Sequence, residues 1–372
     1  MTEEIPTNEQ TAEKKERSYF LPVTIGIVIF SIIVYLYAPG LLGGEVTPTS
    51  EEIGGLKSNI LEDPLAQEER LRLARYYLQE GVKILRDEVS LNDLATDSEM
   101  IQYFSNRLSA IETENSAFSA KVADFRRSLK EDFQGFYKSF SRFERDRARS
   151  CFEESILLFR QAQALGFKLS SRNLYDLGTA YYQLGPEGYA GAAKYLGEAI
   201  KSGLLSTRAL TFLGNVSMAR GNLTRGIALY RRALELSPED PVLAFNLALA
   251  YKESNQMSMA IDYFGTTLKL YRDKENLTEE ELSIILQARL ALGWCFLKTR
   301  QYSAAVSEFE AVLDGQPESI EGHYWLGVAY EGEKRYEAAR AHWLKVKEKQ
   351  SRFRDVRERL ASVERLLSRR RR

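Results

Sequence analysis

Apolar residues fall into two kinds of pattern along this chain. Residues 19–38, YFLPVTIGIVIFSIIVYLYA, carry no charge over 20 positions. As a helix rising about 1.5 Å per residue, such a run spans about 30 Å, the hydrocarbon thickness of a bilayer. Tyr19, Tyr35 and Tyr37 sit at its ends, where a ring and a hydroxyl are both satisfied at the membrane interface. Beyond it, apolar residues recur every three or four positions, the period of amphipathic helices. Leu71, Leu78 and Leu85 repeat by sevens with Ala74 and Val82 between them, after Asp63-Pro64 opens the helix. Ile101, Phe104, Leu108 and Ile111 continue at helical spacing. Phe118, Val122, Phe125, Leu129, Phe133, Phe136, Phe140 and Phe143 mark one face of a long helix or of two abutting ones. That stripe reads either as an intramolecular helical hairpin or as a self-association seam over residues 115–145, which would make a homo-oligomer.

The apolar run reads as an uncleaved anchor. Cleavage after Ala38 would leave Pro39 next to the cut and bulky Leu36 two residues before Ala38. Lys14, Lys15 and Arg17 precede the run, whereas residues 39–58 hold Lys57 beside Glu45, Glu51 and Glu52. The basic flank stays cytoplasmic. The expectation is a single-pass membrane protein, N-terminus inside and the rest outside; in a bacterium that means the inner membrane with a periplasmic body.

From about residue 171 the chain is self-similar. Leu177-Gly178 with Tyr181 leads to Ala192, Leu196 and Ala199, and Leu213-Gly214 to Gly226, Tyr230, Ala233 and Pro238. Leu247-Ala248 with Tyr251 leads to Ala260 and Phe264, and Leu292-Gly293 with Phe296 to Ala305, Phe309 and Pro317. Leu326-Gly327 with Tyr330 leads to Ala339 and Trp343. The small residues Gly178, Gly214, Ala248, Gly293 and Gly327 are spaced 36, 34, 45 and 34. This pattern resembles the tetratricopeptide repeat family, whose 34-residue unit reads W-x2-L-G-x2-Y, then A-x3-F, then P. The resemblance implies an all-α fold of helix-turn-helix units stacked into a right-handed superhelix, as in similar anchored bacterial proteins. Small residues let the paired helices approach, and aromatics fill the space between pairs. Phe159 and Ala162 point to a degenerate unit before these, and Arg289 stands where the fourth unit would carry Trp. Thr278-x-x-Glu281 in the eleven-residue excess is a capping box that starts an elongated helix.

The organisation expected is a disordered tail (1–18), the anchor (19–38), a Gly/Pro/Ser-rich flexible linker (39–63), an aromatic helical region with the degenerate repeat (64–165), about five repeats (166–350), and a capping helix with an Arg tail (351–372). Phe353, Val356, Leu360, Val363 and Leu367 form the stripe of that last helix.

Composition narrows the chemistry. Fifty-one basic residues against 52 acidic give a net charge of −1, which offers no general attraction for nucleic acid. The balance is uneven: residues 350–372 carry nine Arg and three acids, +6, leaving −7 elsewhere. Two Cys 144 residues apart make neither a disulfide framework nor a zinc site. His323 and His342 are the only imidazoles; the first is expected to pack and the second to be solvated. No P-loop, GxSxG or HExxH occurs, and Gly185, Gly188 and Gly191 read as a turn. The chain is therefore expected to be no enzyme and to need no cofactor or metal.

The resemblance implies that partners bind the face built by the first helix of each unit. Mapping it gives Tyr175 and Tyr182; Asn215 and Met218; Phe245, Asn246 and Leu249; Leu290, Trp294 and Leu297; and Tyr324. Asn215 and Asn246 match the two Asn positions of family members that grip a C-terminal carboxylate. The family's basic positions hold Thr211, Gln287 and Ala291, so the match implies backbone gripping without a carboxylate clamp. The partner expected is a peptide or amphipathic helix with apolar anchors, bound with little salt dependence. Arg369, Arg370, Arg371 and Arg372 are candidates for contact with an anionic surface. The function expected is a membrane-anchored scaffold in cell-envelope assembly. Alternatives are a structural subunit joined through the Phe stripe, or an organelle-membrane import or chaperone receptor.

Overall fold

The computed structural model describes residues 50–63, 65–89, 97–114, 116–131, 133–272 and 274–370. The expected tail and anchor lie outside these residues. Among the described residues no helix is long and apolar enough to cross a membrane, and every regular element is helical. The described residues divide into two compact units, the first ending at Leu205 and the second beginning at Ser206.

The first unit contains α1 (Ser50–Glu62), α2 (Gln67–Val89), α3 (Asp97–Glu114), α4 (Ser119–Glu131), α5 (Phe133–Ala164), α6 (Ser171–Gln183) and α7 (Tyr189–Lys201). Helix α1 corrects the flexible-linker reading for residues 50–62: Leu56 is buried and α1 packs on α2, despite Gly54 and Gly55 within it. Helix α2 begins at Gln67, just beyond Pro64, and runs along α5. The Phe stripe divides between α4 and α5. Phe104, Leu108 and Ile111 of α3, Val122, Phe125 and Leu129 of α4, and Phe136, Phe140 and Phe143 of α5 form one buried cluster. Phe104 meets Phe136 edge-on with centroids 4.9 Å apart, a favoured aromatic geometry. The self-association seam is thereby corrected, because those rings are spent on the unit's own core. Glu144, also buried, pairs with Arg107 of α3 at 2.8 Å and Arg147 at 2.7 Å.

Helices α2 and α5 carry the offsets of a repeat. Leu73, Ala74, Ser155, Phe159 and Ala162 are all buried. Gly214 and Gly226 stand 12 residues apart in the second clear repeat, whereas the corresponding Ala74 and Ser155 stand 81 apart. Helices α3 and α4 lie within that interval.

The second unit stacks helix pairs in succession: α8 (Thr207–Ala219) with α9 (Leu223–Leu236), α10 (Pro241–Glu253) with α11 (Met257–Arg272), α12 (Glu279–Lys298) with α13 (Tyr302–Gly315), and α14 (Ile320–Gly332) with α15 (Tyr336–Lys349). Helix α16 (Val356–Arg370) packs on α15 and buries Val356, Leu360, Val363 and Leu367. A Cβ on Gly214 would stand 2.7 Å from the Tyr230 ring, so only Gly permits this approach. Each first helix ends with a left-handed residue seven after its small residue: Gly185 in the first unit, then Gly221, Asn255, Arg300 and Lys334. The paired bonds of a Schellman ending accompany the four in the second unit, such as Gln301 N–H to Phe296 O at 2.8 Å, whereas Pro186 after Gly185 has no N–H to make one. Gly185 is thus a turn residue, as expected, and Gly188 caps the start of α7, whereas Gly191 lies within α7 and not in the turn. Thr278 and Glu281 exchange both bonds of a capping box at the start of α12. Arg289 reaches Glu308 of α13 at 2.9 Å, which keeps its charge out of the core.

Candidate functional site

The face mapped from sequence is only partly an outer surface. In the first unit, Tyr175 and Tyr182 are both buried. Tyr182 stacks on Tyr189, and Tyr175 takes the Arg172 guanidinium at 5.7 Å from its centroid. Beside them Asp176 is 1% exposed, held between Arg75 of α2 at 3.3 Å and Arg172 at 3.2 Å. Burial nevertheless pushes its carboxyl up to about 6, against the pull of Arg172 and Arg75.

In the second unit, Asn215 is buried and its amide oxygen accepts from the Tyr230 hydroxyl at 2.5 Å. Burial raises the Tyr230 hydroxyl well above the usual tyrosine value, so it stays a donor. Asn215 Oδ1 is thus engaged by its own hairpin. Met218 is half-buried and packs on Gly226 of α9. Phe245 is 2% exposed and meets Phe264 of α11 with centroids 5.9 Å apart; it supports the face from within the hairpin. Leu249 is buried as well. Asn246 is buried with its Nδ2 lacking an acceptor. Such a donor costs about 1–3 kcal/mol if it stays unsatisfied, and a ligand carbonyl would satisfy it.

The half-buried part of the face lies on α12. Leu290, Trp294 and Leu297 stand at spacings of four and three on that helix, each partly open to solvent. The Trp294 ring has Lys252 Nζ of α10 at 5.6 Å and Lys298 Nζ at 5.2 Å from its centroid. Lys252 is 5% exposed and contacts Glu253 at 3.3 Å, while Lys298 is exposed. An ammonium over an indole face is attractive. The i, i+4 spacing of Trp294 and Lys298 was the available sequence signal for this pair. Cys295, next in sequence, is buried and its thiol is pushed up to about 12 by burial, which keeps it protonated and unreactive.

At α14 the face is occupied by the chain's own C-terminal segment. The Tyr324 hydroxyl donates to Asp355 Oδ1 at 2.5 Å, and its ring meets Phe353 edge-on. Arg354 pairs with Glu321 at 3.1 Å and Arg359 with Glu331 at 2.6 Å. Tyr324 is therefore 3% exposed. Arg369 is exposed at the end of α16; the side chain of Arg370, with Arg371 and Arg372, lies outside the described residues. Among the described residues no group of three or more His, Cys, Asp or Glu is placed to hold a metal ion. His323 and His342 meet each other, Nδ1 to Nδ1 at 3.0 Å, which corrects the solvated reading of His342.

Comparison with known proteins locates the repeats. Anaphase-promoting complex subunit CDC16 of Saccharomyces cerevisiae is 26% identical over 131 residues, 35% of this chain and 15% of that protein. BBSome complex member BBS4 of Bos taurus is 28% identical over 127 residues, 34% of this chain and 22% of that protein. The matched part spans less than a quarter of either relative. Among solved structures, a MamA structure is 20% identical with a TM-score of 0.42, covering 49% of this chain and 93% of that one. YrrB, described as a TPR protein with an unusual peptide-binding site, is 18% identical with a TM-score of 0.45, covering 54% and 96%. The tetratricopeptide repeat family model matches residues 175–241 and 286–351. Those two segments of this chain are tetratricopeptide repeats.

Proposed function

We propose that this chain is a membrane-anchored scaffold that holds a partner protein against the first-helix face of its repeats, in assembly of the cell envelope. The observation that carries the reading is Trp294, half-buried between Lys252 and Lys298. A large ring partly open to solvent supplies contact area at little entropic cost, and such residues dominate binding energy. Leu290 and Leu297 extend the apolar strip, and the unsatisfied Asn246 amide lies on the neighbouring first helix. The partner is a peptide or helix with an apolar anchor, and the exposed Lys298 ammonium favours an acidic residue beside it. This amends the salt-independent binding expected from the apolar positions alone. Residues 19–38 provide the anchor, with the repeats on the outer side, and the C-terminal arginines face an anionic surface.

The test is crosslinking in membranes followed by affinity purification and mass spectrometry, comparing the native chain with Trp294→Ala. A partner held by the native chain and lost by the variant, with the fold intact, supports the reading. Equal capture overturns it. An alkaline phosphatase fusion at the C-terminus, active in bacteria, supports the orientation; an inactive one reverses it.

A further inference from the structure

The chain's only two histidines, 19 residues apart in sequence, stand against one another in the last repeat. His323 on α14 and His342 on α15 face across the hairpin, Nδ1 to Nδ1 at 3.0 Å with ring centroids 5.2 Å apart. His323 is 4% exposed and His342 half-buried. A hydrogen bond between two imidazole nitrogens needs one donor and one acceptor, which two neutral rings provide. With both rings charged, every ring nitrogen bears a proton, and two N–H groups point at each other.

The surroundings deepen this preference. The groups that act on the rings are Glu310 from α13, Glu318 and the Pro317 carbonyl from the turn before α14, and Lys345 and Lys349 from α15. The Tyr330 ring of α14 lies tilted beside His342, with centroids 5.6 Å apart. Both carboxylates are already engaged: Glu310 accepts from the Tyr330 hydroxyl at 2.7 Å, and Glu318 pairs with Lys349. Glu318 draws His323, and Glu310 draws His342, toward the charged form, but burial together with the Lys345 charge outweighs them at both rings. The pair titrates as a unit.

We propose that His323 and His342 form a pH-sensitive latch, which joins α14 to α15 while both rings are neutral and releases the last hairpin when the pair takes up protons in mild acid. Burial is the largest cause lowering both rings, and it holds His342 at about 4 against an ordinary value near 6.5. The unfolded hairpin therefore binds more protons than the folded one between these values. The latch is complete above about pH 6.5 and weakens as pH falls toward 4, the equilibrium for opening rising up to about tenfold per pH unit for each proton taken up. Because Tyr324 and Trp343 of this hairpin support Asp355 and Arg359, opening also frees the segment leading into α16.

With just two histidines, labelling the full chain with 15N-histidine in detergent micelles reads the pair directly. Both rings should remain neutral at pH 6. Hydrogen exchange, corrected for intrinsic rates, should show protection of α14 and α15 falling between pH 7 and 5 while α8 to α11 hold theirs. His342→Gln, which keeps a hydrogen-bonding amide without a titrating charge, should flatten that fall. Rings that titrate near 6.5, or an undiminished fall in the variant, would overturn the latch. Should His342→Gln not fold, the native titration and the His323→Asn chain decide in the same way.

Discussion

Gly81 of α2 lies so close to Phe152 of α5 that a Cβ there would sit 2.6 Å from a ring carbon. Phe152 is 1% exposed, so its ring has nowhere to retreat. Gly81→Ala gains helix propensity of about 1 kcal/mol but overpacks a closed contact. The net loss expected is about 1–2 kcal/mol, measured by urea unfolding.

Two first-helix endings run the other way. Arg300 and Lys334 hold φ of +60° and +62°, where the corresponding residues of earlier hairpins include Gly185 and Gly221. A side chain in that region costs about 1–2 kcal/mol, offset in part by the greater freedom that Gly loses on folding. Arg300→Gly and Lys334→Gly should each stabilise the second unit by about 0.5–1 kcal/mol, read as a rise in the midpoint of unfolding.

Removing the acid of a buried triad should cost far more. Glu144 sits at 2.7–2.8 Å from Arg147 and Arg107, whose side chains are 12% and 13% exposed. Glu144→Gln removes the negative charge that two nearly buried guanidinium groups share, and the expected loss is about 3 kcal/mol. Unfolding of Glu144→Gln and of Arg107→Met, compared in one denaturant series, checks this. Loss of under 1 kcal/mol would mean solvent reaches the triad.

Asp176 should give the first unit a pH dependence opposite in sign to that of the histidines. Its folded carboxyl titrates at about 6 against an ordinary 3.8. A raised value means the folded state holds the proton more firmly, so its stabilising share is complete below pH 3.8 and vanishes as pH rises through 6. The first unit should gain stability as pH falls from 7 to 5, and Asp176→Asn should abolish that gain in pH-dependent urea unfolding.

On the proposed binding face, Trp294→Ala should weaken partner capture about 30-fold or more, the scale of a loss near 2 kcal/mol. Because the ring is also partly buried, capture is compared at a temperature where the variant is fully folded, as judged by its unfolding midpoint. Lys298→Glu should reduce capture chiefly at low salt, because the exposed ammonium is screened as ionic strength rises. Titrating salt against both variants separates the apolar and charged shares.

Much of this architecture was legible because the repeats fix residue types at fixed offsets. Gly214 and Tyr230 announce one hairpin contact, and Gly293 and Phe309 another, each closing as the spacing implied. Helix α1 was hidden by Gly54, Gly55 and its Ser/Thr-rich approach, with buried Leu56 its main tertiary anchor. The pairing of α2 with α5 was obscured because its halves stand 81 residues apart. At the candidate site, position on the helix was readable but exposure was not. Phe245 turns to Phe264, and Asn215 is claimed by Tyr230, through contacts set by the second helix of the pair. Tyr324 is covered by residues 353–355, a return of the chain that no first-helix pattern encodes. The meeting of His323 with His342 likewise depends on the rotation of two helices about their axes.

The long interval between α2 and the end of α5 has a consequence for the order of events during synthesis. The hairpin of α8 and α9 is complete within about thirty residues of chain. Ala74, by contrast, emerges 81 residues before Ser155. At about 5–20 residues per second, α2 waits about 4–16 s for the helix it pairs with. During that wait its apolar stripe of Leu71, Leu78 and Val82 is uncovered, while α3 and α4 emerge and begin to gather their phenylalanine cluster. The first helix to leave the ribosome in this pair is among the last to find its place, and nascent-chain helpers would meet this protein there.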